Sequence, residues 1–296
     1  MENIVTSYQN PDLDGVAASY AYAEFLNKTN KIAGYFIDGK KQLEVDVVLN
    51  YFNIELDNKN VNFNNDIILV DTSSPNDISK DIILDNVIEV IDHREITEVE
   101  KFVNAKVQVE LVGAAATLIV EKFYNSNIKI SEESAILLYY AIASNTINFK
   151  ASITTKRDIE MAKWLQKQYP DKLNEDIIKL IFKEKSKLEK PLKKALEADL
   201  KLMQSLAIAQ LEIVDVKGFI DNNITEIKEA LLTIKKDYNL KYVFLNCIDT
   251  FAGYSTYMIA DIETEKMLSK VLNIKFDNGI FKTDNIVMRK ELVPLF

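Results

Sequence analysis

The stretch Val-Ile-Glu-Val-Ile-Asp-His-Arg at residues 87–94 decides the fold and contains the only histidine of the 296-residue chain. Its apolar, β-branched first part predicts a buried strand, and its last three residues place polar side chains where that strand ends. Parallel α/β sheets bind their ligands at such carboxyl ends. A carboxylate can orient a metal-binding imidazole, and a guanidinium can hold an oxyanion. We therefore expect Asp92, His93 and Arg94 to belong to a functional site, the alternative being an ordinary imidazole near a strand end.

Two further predicted strands also end in acidic residues. Residues 3–7 form a short β-like run that leads into a loop with Asp12 and Asp14, and residues 65–70 form an apolar strand that ends at Asp71. Helical patterns lie between these strands, which favours parallel pairing with all three carboxyl ends on one edge. The sequence therefore predicts an α/β fold whose N-terminal domain is a parallel sheet flanked by helices.

The remaining patterns complete the two-domain prediction. Residues 111–119 open a helix whose small side chains permit close approach of backbone or ligand. Residues 171–204 are rich in Lys, Glu and Leu and indicate helix interrupted at Pro191, and the charged run 183–190 fits either an interdomain linker or a solvated helix face. Beyond it, strands and helices alternate, which predicts a smaller C-terminal α/β or α+β domain. The predicted strands are 207–216, 242–248 and 256–262, and the predicted helices lie near 223–237 and 263–272.

Composition excludes several classes of protein. The net charge of -9 and the pI near 4.9 argue against binding of nucleic acid through phosphate neutralisation, but they leave room for a locally basic pocket that binds a small anion. The single Cys247 excludes an intramolecular disulfide and fits a reducing cytosol, so we expect a cytoplasmic protein. Neither a signal core after Met1 nor an apolar run of about 18 residues is present, so we expect no membrane segment.

The acidic strand ends suit a metal site. Asp12 and Asp14 are two residues apart in one loop and can converge on a cation, although Asn-Pro-Asp is also a common turn and helix cap. Asp71 and His93 at neighbouring strand ends strengthen the metal hypothesis. Carboxylates with one imidazole suit Mn²⁺, Mg²⁺ or Co²⁺, and two such ions about 3.5 to 4 Å apart can activate water against a phosphoryl group.

Four short motifs, in their order and approximate spacing, resemble those of the DHH phosphoesterase superfamily. They are Asn10-Pro11-Asp12-Leu13-Asp14, Leu69-Val70-Asp71, Ile91-Asp92-His93-Arg94 and Gly113-Ala114-Ala115-Ala116-Thr117. The branch that the chain resembles holds manganese-dependent (family II) inorganic pyrophosphatases and exopolyphosphatases, which carry a C-terminal DHHA2 domain. Residues 141–158, 199–201 and 289–294 also resemble that branch, so the resemblance covers essentially the whole chain.

The resemblance implies a set of site residues. The implied metal ligands are Asp12, Asp14, Asp71, His93 and Asn145, with Asp71 bridging two ions and Mn²⁺ as the cofactor, Co²⁺ or Mg²⁺ being alternatives. The implied catalytic residues are Asp71 and Arg94, and the implied substrate-binding residues are Arg94, Lys201, Arg289 and Lys290. A small phosphoanhydride would be the substrate, held by positive charges that stabilise its developing charge.

The resemblance also implies the domain bounds. Residues 1–184 would form the metal-binding DHH domain, and residues 190–296 a DHHA2-like domain that clamps the substrate and closes over it. A homodimer formed through the N-terminal domain is implied as well.

The chain departs from the motifs of the pyrophosphatases in four places. Tyr8 stands where they have a histidine before Gln-Asn-Pro-Asp, Arg94 where they have a second histidine, Asn145 where they usually have Asp, and Thr72-Ser73 where many have His-Asn. Two hypotheses follow. The first is a metal-dependent phosphohydrolase acting on pyrophosphate or short polyphosphate, and the second is a non-catalytic relative that binds an anion, a nucleotide or a partner. A third alternative, acids that only cap helices, does not explain their motif positions.

Overall fold

A computed structural model describes residues 3–57, 61–95, 97–188 and 190–296. Its contacts divide the chain into two compact units. The first unit comprises Met1–Phe149 and Ile153–Ile181, and the second comprises Lys150–Ser152 and Phe182–Phe296. Glu189, within the predicted linker, lies outside the described residues. The DHHA2-like character of the second domain stays a prediction.

The first unit contains a five-stranded parallel sheet in the order β2-β1-β3-β4-β5. Parallel neighbours need crossover connections, and α-helices supply two of the four connections between consecutive strands. The strands are β1 (Asn3–Thr6), β2 (Ala33–Phe36), β3 (Asp66–Val70), β4 (Val87–Asp92) and β5 (Lys106–Val109). The helices are α1 (Leu13–Lys28), α2 (Leu43–Phe52), α3 (Ala115–Asn125), α4 (Glu132–Asn145), α5 (Lys156–Gln168) and α6 (Glu175–Lys185), the last of which continues into the second unit.

The strand order explains where a ligand can bind. β2 lies on one side of β1 and β3 on the other, so the direction of winding reverses between β1 and β3. A crevice opens at the carboxyl ends of the strands at such a switch point. The segments that follow β1, β3 and β4 therefore meet at one place, and these are the three segments that the sequence singles out.

Helix α1 begins beside this switch point for a local reason. The carboxylate of Asp12 caps the helix by accepting the backbone N–H groups of Asp14 at 2.9 Å and Gly15 at 3.1 Å. Small residues such as Ala17 and Ala21 are fully buried on this helix, which lets it pack closely against the buried helix α4. Asp14 in the first turn is thereby fixed at the switch point.

The second unit contains a mixed five-stranded sheet in the order β10-β9-β8-β7-β6. Only β7 and β8 are parallel to each other, and the long helix α8 joins them. The strands are β6 (Leu200–Leu202), β7 (Leu206–Ile213), β8 (Tyr242–Asp249), β9 (Tyr254–Met258) and β10 (Ile280–Lys282). The helices are α7 (Leu192–Ala198), α8 (Val216–Asp237), α9 (Ile262–Leu272) and the short α10 (Arg289–Leu292).

The predicted fold class is confirmed, with local differences. Residues 200–202, inside the stretch predicted as helical, form β6 because they pair antiparallel with β7 at the sheet edge. The predicted strand 256–262 lies instead at Tyr254–Met258, since the Asp261 side chain caps α9 and starts a helix at Ile262. The sequence does not predict β5, a short and partly exposed edge strand. Among the described residues, no helix is both long and apolar enough to span a membrane.

Candidate metal centre

Three predicted ligands converge at the switch point. Asp14 lies in the first turn of α1, Asp71 directly follows β3, and His93 directly follows β4. Nε2 of His93 is 3.3 Å from an Asp71 carboxylate oxygen and 3.7 Å from an Asp14 carboxylate oxygen. Within the described parts of the chain, this is the one group of acidic, histidine or cysteine side chains whose ligand atoms could hold a metal ion together.

The orientation of His93 is fixed by the main chain. Its Nδ1 lies 3.0 Å from the carbonyl oxygen of Val112. A carbonyl only accepts, so Nδ1 carries the hydrogen and a neutral imidazole directs its lone pair on Nε2 at the two carboxylates. Burial alone would lower the pKa of His93, but the hydrogen bond and charge of Asp71, with the charge of Asp14, raise it to about 10.

Asp14 is fully buried and is held mainly by backbone donors. The N–H groups of Ala115 and Ala116, at the start of α3, donate to its two carboxylate oxygens at 2.8 and 2.7 Å. The positive end of a helix favours an anion at this position. The small residues of this segment therefore approach the Asp14 carboxylate closely, and burial followed by the charge of Asp71 raises the pKa of Asp14.

Asn145 is placed beside the group at the end of α4. Its side-chain nitrogen donates to a carboxylate oxygen of Asp14 at 2.7 Å. An amide in this contact orients Asp14 without adding negative charge. Its role as a direct ligand stays a prediction.

A second buried carboxylate supports the segment that holds Asp14. Asp158 in α5 accepts the backbone N–H of Gly113 on both oxygens, at 3.0 and 2.9 Å, and the hydroxyl of Thr117 at 2.5 Å. It also accepts the backbone N–H and the hydroxyl of Thr155, both at 2.7 Å. Gly113 must be glycine, because an added Cβ would lie 2.4 Å from a methyl carbon of Thr146. Asp158 thus fixes the turn before α3.

Asp71 and Asp92 complete the strand-end geometry. Asp71 has a φ of 57°, in the left-handed region that aspartate adopts more readily than most residues. Its backbone N–H donates to the carbonyl oxygen of Ile91 at 2.8 Å, which ties the end of β3 to β4. Asp92 accepts the hydroxyl of Ser73 at 2.5 Å and the backbone N–H of His93 at 2.8 Å. It therefore supports His93 from behind.

Tyr8 and Arg94 lie next to the group of three ligands. The backbone N–H of Asp12 donates to the hydroxyl of Tyr8 at 3.0 Å, and the guanidinium carbon of Arg94 lies 5.2 Å from the centre of the Tyr8 ring. Arg94 donates to the carbonyl oxygen of Asp71 at 3.0 Å and to the carboxylate of Asp77 at 3.3 Å. Burial raises the pKa of Tyr8 above its usual value, and the charges of Asp12 and Asp71 raise it further. Tyr8 is therefore a neutral phenol at physiological pH.

The three remaining predicted residues belong to the second unit. Lys201 lies on β6 and is exposed, and Arg289 and Lys290 begin α10. The Arg289 guanidinium pairs with the carboxylate of Asp199 at 2.6 Å. Their role in binding phosphate stays a prediction.

Comparison with known proteins places this geometry in a family. The model described as "DHH family, N-terminal domain" matches residues 3–142, which include the four sequence motifs. Residues 3–142 form a DHH-family domain. The probable manganese-dependent inorganic pyrophosphatase of Clostridium acetobutylicum is 28% identical over 310 aligned residues, which cover 99% of this chain and 97% of that protein.

Two further proteins resemble the whole chain. The manganese-dependent inorganic pyrophosphatase of Bacillus subtilis is 28% identical over 304 aligned residues, covering 100% of this chain and 98% of that protein. The crystal structure of a putative family II inorganic pyrophosphatase from Methanococcus jannaschii has a TM-score of 0.70 at 24% identity, covering 99% of this chain and 97% of that one. The sequence comparisons indicate distant full-length homology, and the structural comparison shows the shared fold.

Sequence reasoning missed the residues that support the ligands of the DHH domain. Asp158 ends the segment 141–158 that resembles the pyrophosphatase branch, but the sequence gives it no role beyond that of partner to Thr155 in a helix capping box, which the structure contains. Glu44 in α2 is buried and accepts the backbone N–H of Leu13 at 3.0 Å and the hydroxyl of Ser144. Both carboxylates accept hydrogen bonds from residues that are about 30 or more positions away in the sequence. A local sequence pattern does not predict such contacts.

Metal binding to the DHH domain should release a proton. With the pKa of His93 raised to about 10, its imidazole is protonated at neutral pH in the metal-free protein, whereas a metal ligand must be neutral. We expect the affinity for Mn²⁺ to rise by about tenfold per pH unit between about pH 6 and pH 8, with about one proton released per ion. Titration calorimetry in two buffers of different ionisation enthalpy measures this number. A binding enthalpy that is the same in both buffers would contradict the assignment of Nε2 as a ligand.

Proposed function

We propose that the chain is a metal-dependent phosphohydrolase that cleaves a phosphoanhydride, either inorganic pyrophosphate or a short polyphosphate. The observation that carries the proposal is the convergence of Asp14, Asp71 and His93 at the switch point of the DHH domain. Distant homology to manganese-dependent inorganic pyrophosphatases over the full length supports the same reaction class.

The ligand atoms fit a divalent cation. Two carboxylate oxygens and one imidazole nitrogen suit Mn²⁺, and also Co²⁺ or Mg²⁺. The backbone contact of Nδ1 to Val112 directs Nε2 of His93 toward the carboxylates, as a ligand requires. Bound there, the cation would lower the pKa of a coordinated water and polarise a phosphoryl oxygen.

The chain's own residues would position the substrate. Arg94 is part-exposed and has five N–H donors, two of which contact Asp77 and the Asp71 carbonyl. We propose that its remaining donors bind phosphate oxygens, for which a planar, permanently charged guanidinium is well suited. We assign the same role to Lys201, Arg289 and Lys290, on the support of their positive charge and the resemblance of their motifs.

A phosphate-release assay tests the proposed function. Purified protein loaded with Mn²⁺, Co²⁺ or Mg²⁺ should release orthophosphate from pyrophosphate or tripolyphosphate. Removal of the metal by a chelator should abolish release, and added Mn²⁺ should restore it. If no phosphate is released from either substrate with any of the three ions, the hydrolase proposal is wrong.

A second candidate function is binding without turnover. It is favoured by Asn145, which contacts Asp14 through its amide nitrogen and adds no negative charge to the site. Calorimetric titration with inorganic phosphate or a nucleoside diphosphate distinguishes the two functions. Measurable binding without phosphate release would support the binding module, and rapid turnover would reject it.

A further inference from the structure

The acids around the switch point are not equally disposed to bind a cation. Asp14 and Asp71 face Nε2 of His93, whereas Asp12 is outside this group. The Asp12 carboxylate caps helix α1 by accepting the backbone N–H groups of Asp14 and Gly15. A carboxylate oxygen engaged by two backbone donors has less capacity left for a cation.

The space beside Asp12 is filled by Tyr8. The hydroxyl of Tyr8 lies 3.0 Å from the backbone nitrogen of Asp12, and the side chain of Asp12 is also hydrogen-bonded to it. A neutral phenol is a poor ligand for a divalent cation, since free phenols lose their proton only near about pH 10. Tyr8 therefore takes up the coordination space beside Asp12 without offering a good ligand atom.

The Arg94 guanidinium places a permanent positive charge beside Tyr8 and Asp71. The Arg94 guanidinium covers the Tyr8 ring at 5.2 Å from its centre and donates to the Asp71 carbonyl oxygen at 3.0 Å. Its Nε is 3.9 Å from a carboxylate oxygen of Asp92, and its Nη1 is 3.3 Å from Asp77. A second divalent cation between Asp12 and Asp71 would be repelled by this charge.

We propose that the site holds one divalent cation per chain, between Asp14, Asp71 and His93, and that Tyr8 and Arg94 occupy the position of a second cation. This inference rests on the proposed function and specifies its metal requirement. Arg94 supplies, as a fixed organic cation, the positive charge that a second ion would bring to phosphate oxygens. A guanidinium cannot activate a water molecule as a metal ion does, so the cation held by Asp14, Asp71 and His93 would have to supply that activation.

The number of bound ions tests the proposal directly. Titration calorimetry of the metal-free full chain with Mn²⁺ alone should give one ion per chain. Electron paramagnetic resonance at saturation should show an isolated Mn²⁺, without the coupling expected for two ions about 3.5 to 4 Å apart. Two ions per chain in the unaltered protein would overturn the proposal and leave the proposed function intact. Failure to bind any ion would overturn both.

A double variant tests whether Tyr8 and Arg94 are the residues that limit the site to one cation. Tyr8→His combined with Arg94→Ala adds an imidazole beside Asp12 and removes the competing charge, so the expected number of bound Mn²⁺ ions rises from one to two. Tyr124→His is the matched control, because Tyr124 is 52% exposed on α3 and an imidazole there should leave the number at one. A folded double variant that still binds one ion would overturn the assignment of these two residues. If the double variant does not fold, the count in the unaltered protein still decides how many cations bind.

Discussion

Replacing Asp71 by alanine should abolish tight Mn²⁺ binding and lower the rate of phosphate release by at least about 1,000-fold. Metal polarisation of a phosphoryl group contributes several kcal/mol to the transition state, and each 1.4 kcal/mol corresponds to about tenfold in rate. Asp71 approaches Nε2 of His93 to 3.3 Å, closer than Asp14 does. Its loss therefore removes a ligand and also the carboxylate that faces the imidazole.

The backbone at Asp71 calls for a second variant. Its φ of 57° lies in the left-handed region, where alanine is strained by roughly 1 to 2 kcal/mol. Asparagine tolerates this conformation better, so Asp71→Asn removes the charge with little backbone strain. We expect Asp71→Asn to bind Mn²⁺ much more weakly than the unaltered protein while its thermal unfolding temperature changes little.

Asp85→Ala is a matched control, because it removes a carboxylate that lies outside the site. Asp85 is exposed in the short turn that precedes β4, at the strand end opposite His93. Asp85→Ala should leave both Mn²⁺ affinity and phosphate release within about twofold of the unaltered protein, as expected for a surface substitution. Full activity of Asp71→Ala would contradict the assignment of the site.

Asp158→Asn should weaken Mn²⁺ binding by about tenfold or more, although Asp158 is not one of the three residues of the ligand group. The carboxylate accepts bonds from Gly113, Thr117 and Thr155. The side-chain NH₂ group of asparagine would face N–H and O–H groups that need an acceptor. Each buried donor left without an acceptor costs about 1 to 3 kcal/mol of folding free energy. The turn that carries the N–H groups of Ala115 and Ala116 toward Asp14 would shift, and outer groups of this kind typically change metal affinity 10- to 100-fold.

Asp249→Asn is the control that distinguishes an effect on the metal site from a general loss of stability. Asp249 is also buried and accepts backbone N–H groups of Val216, Phe251 and Ala252, but it lies in the second unit. Asp249→Asn should lower the thermal unfolding temperature while the folded protein keeps its Mn²⁺ affinity. If Asp158→Asn also lowers only the unfolding temperature, Asp158 has a structural role without influence on the metal site.

The sequence predicts the core of the fold because its signals are local. Residues 87–92 form β4, whose apolar side chains Val87, Val90 and Ile91 are buried, and His93 and Arg94 follow its end. Helices α8 and α9 lie where the helical patterns near 223–237 and 263–272 predict them, with α8 beginning earlier, at Val216. By contrast, β5 and β6 are short edge strands with exposed residues, and their pairing partners rather than their composition make them strands.

The sequence by itself predicted a metal site that includes Asp14, Asp71 and His93, because each of them comes after a predicted strand and carries ligand chemistry. Only the tertiary structure decided how they are used. It separated Asp12 from the ligand group, placed Arg94 over Tyr8, and brought Asp158 to the turn beside Asp14. These contacts join residues far apart in the chain, and their hydrogen bonds depend on distances of a few tenths of an ångström, which a pattern along the sequence does not contain.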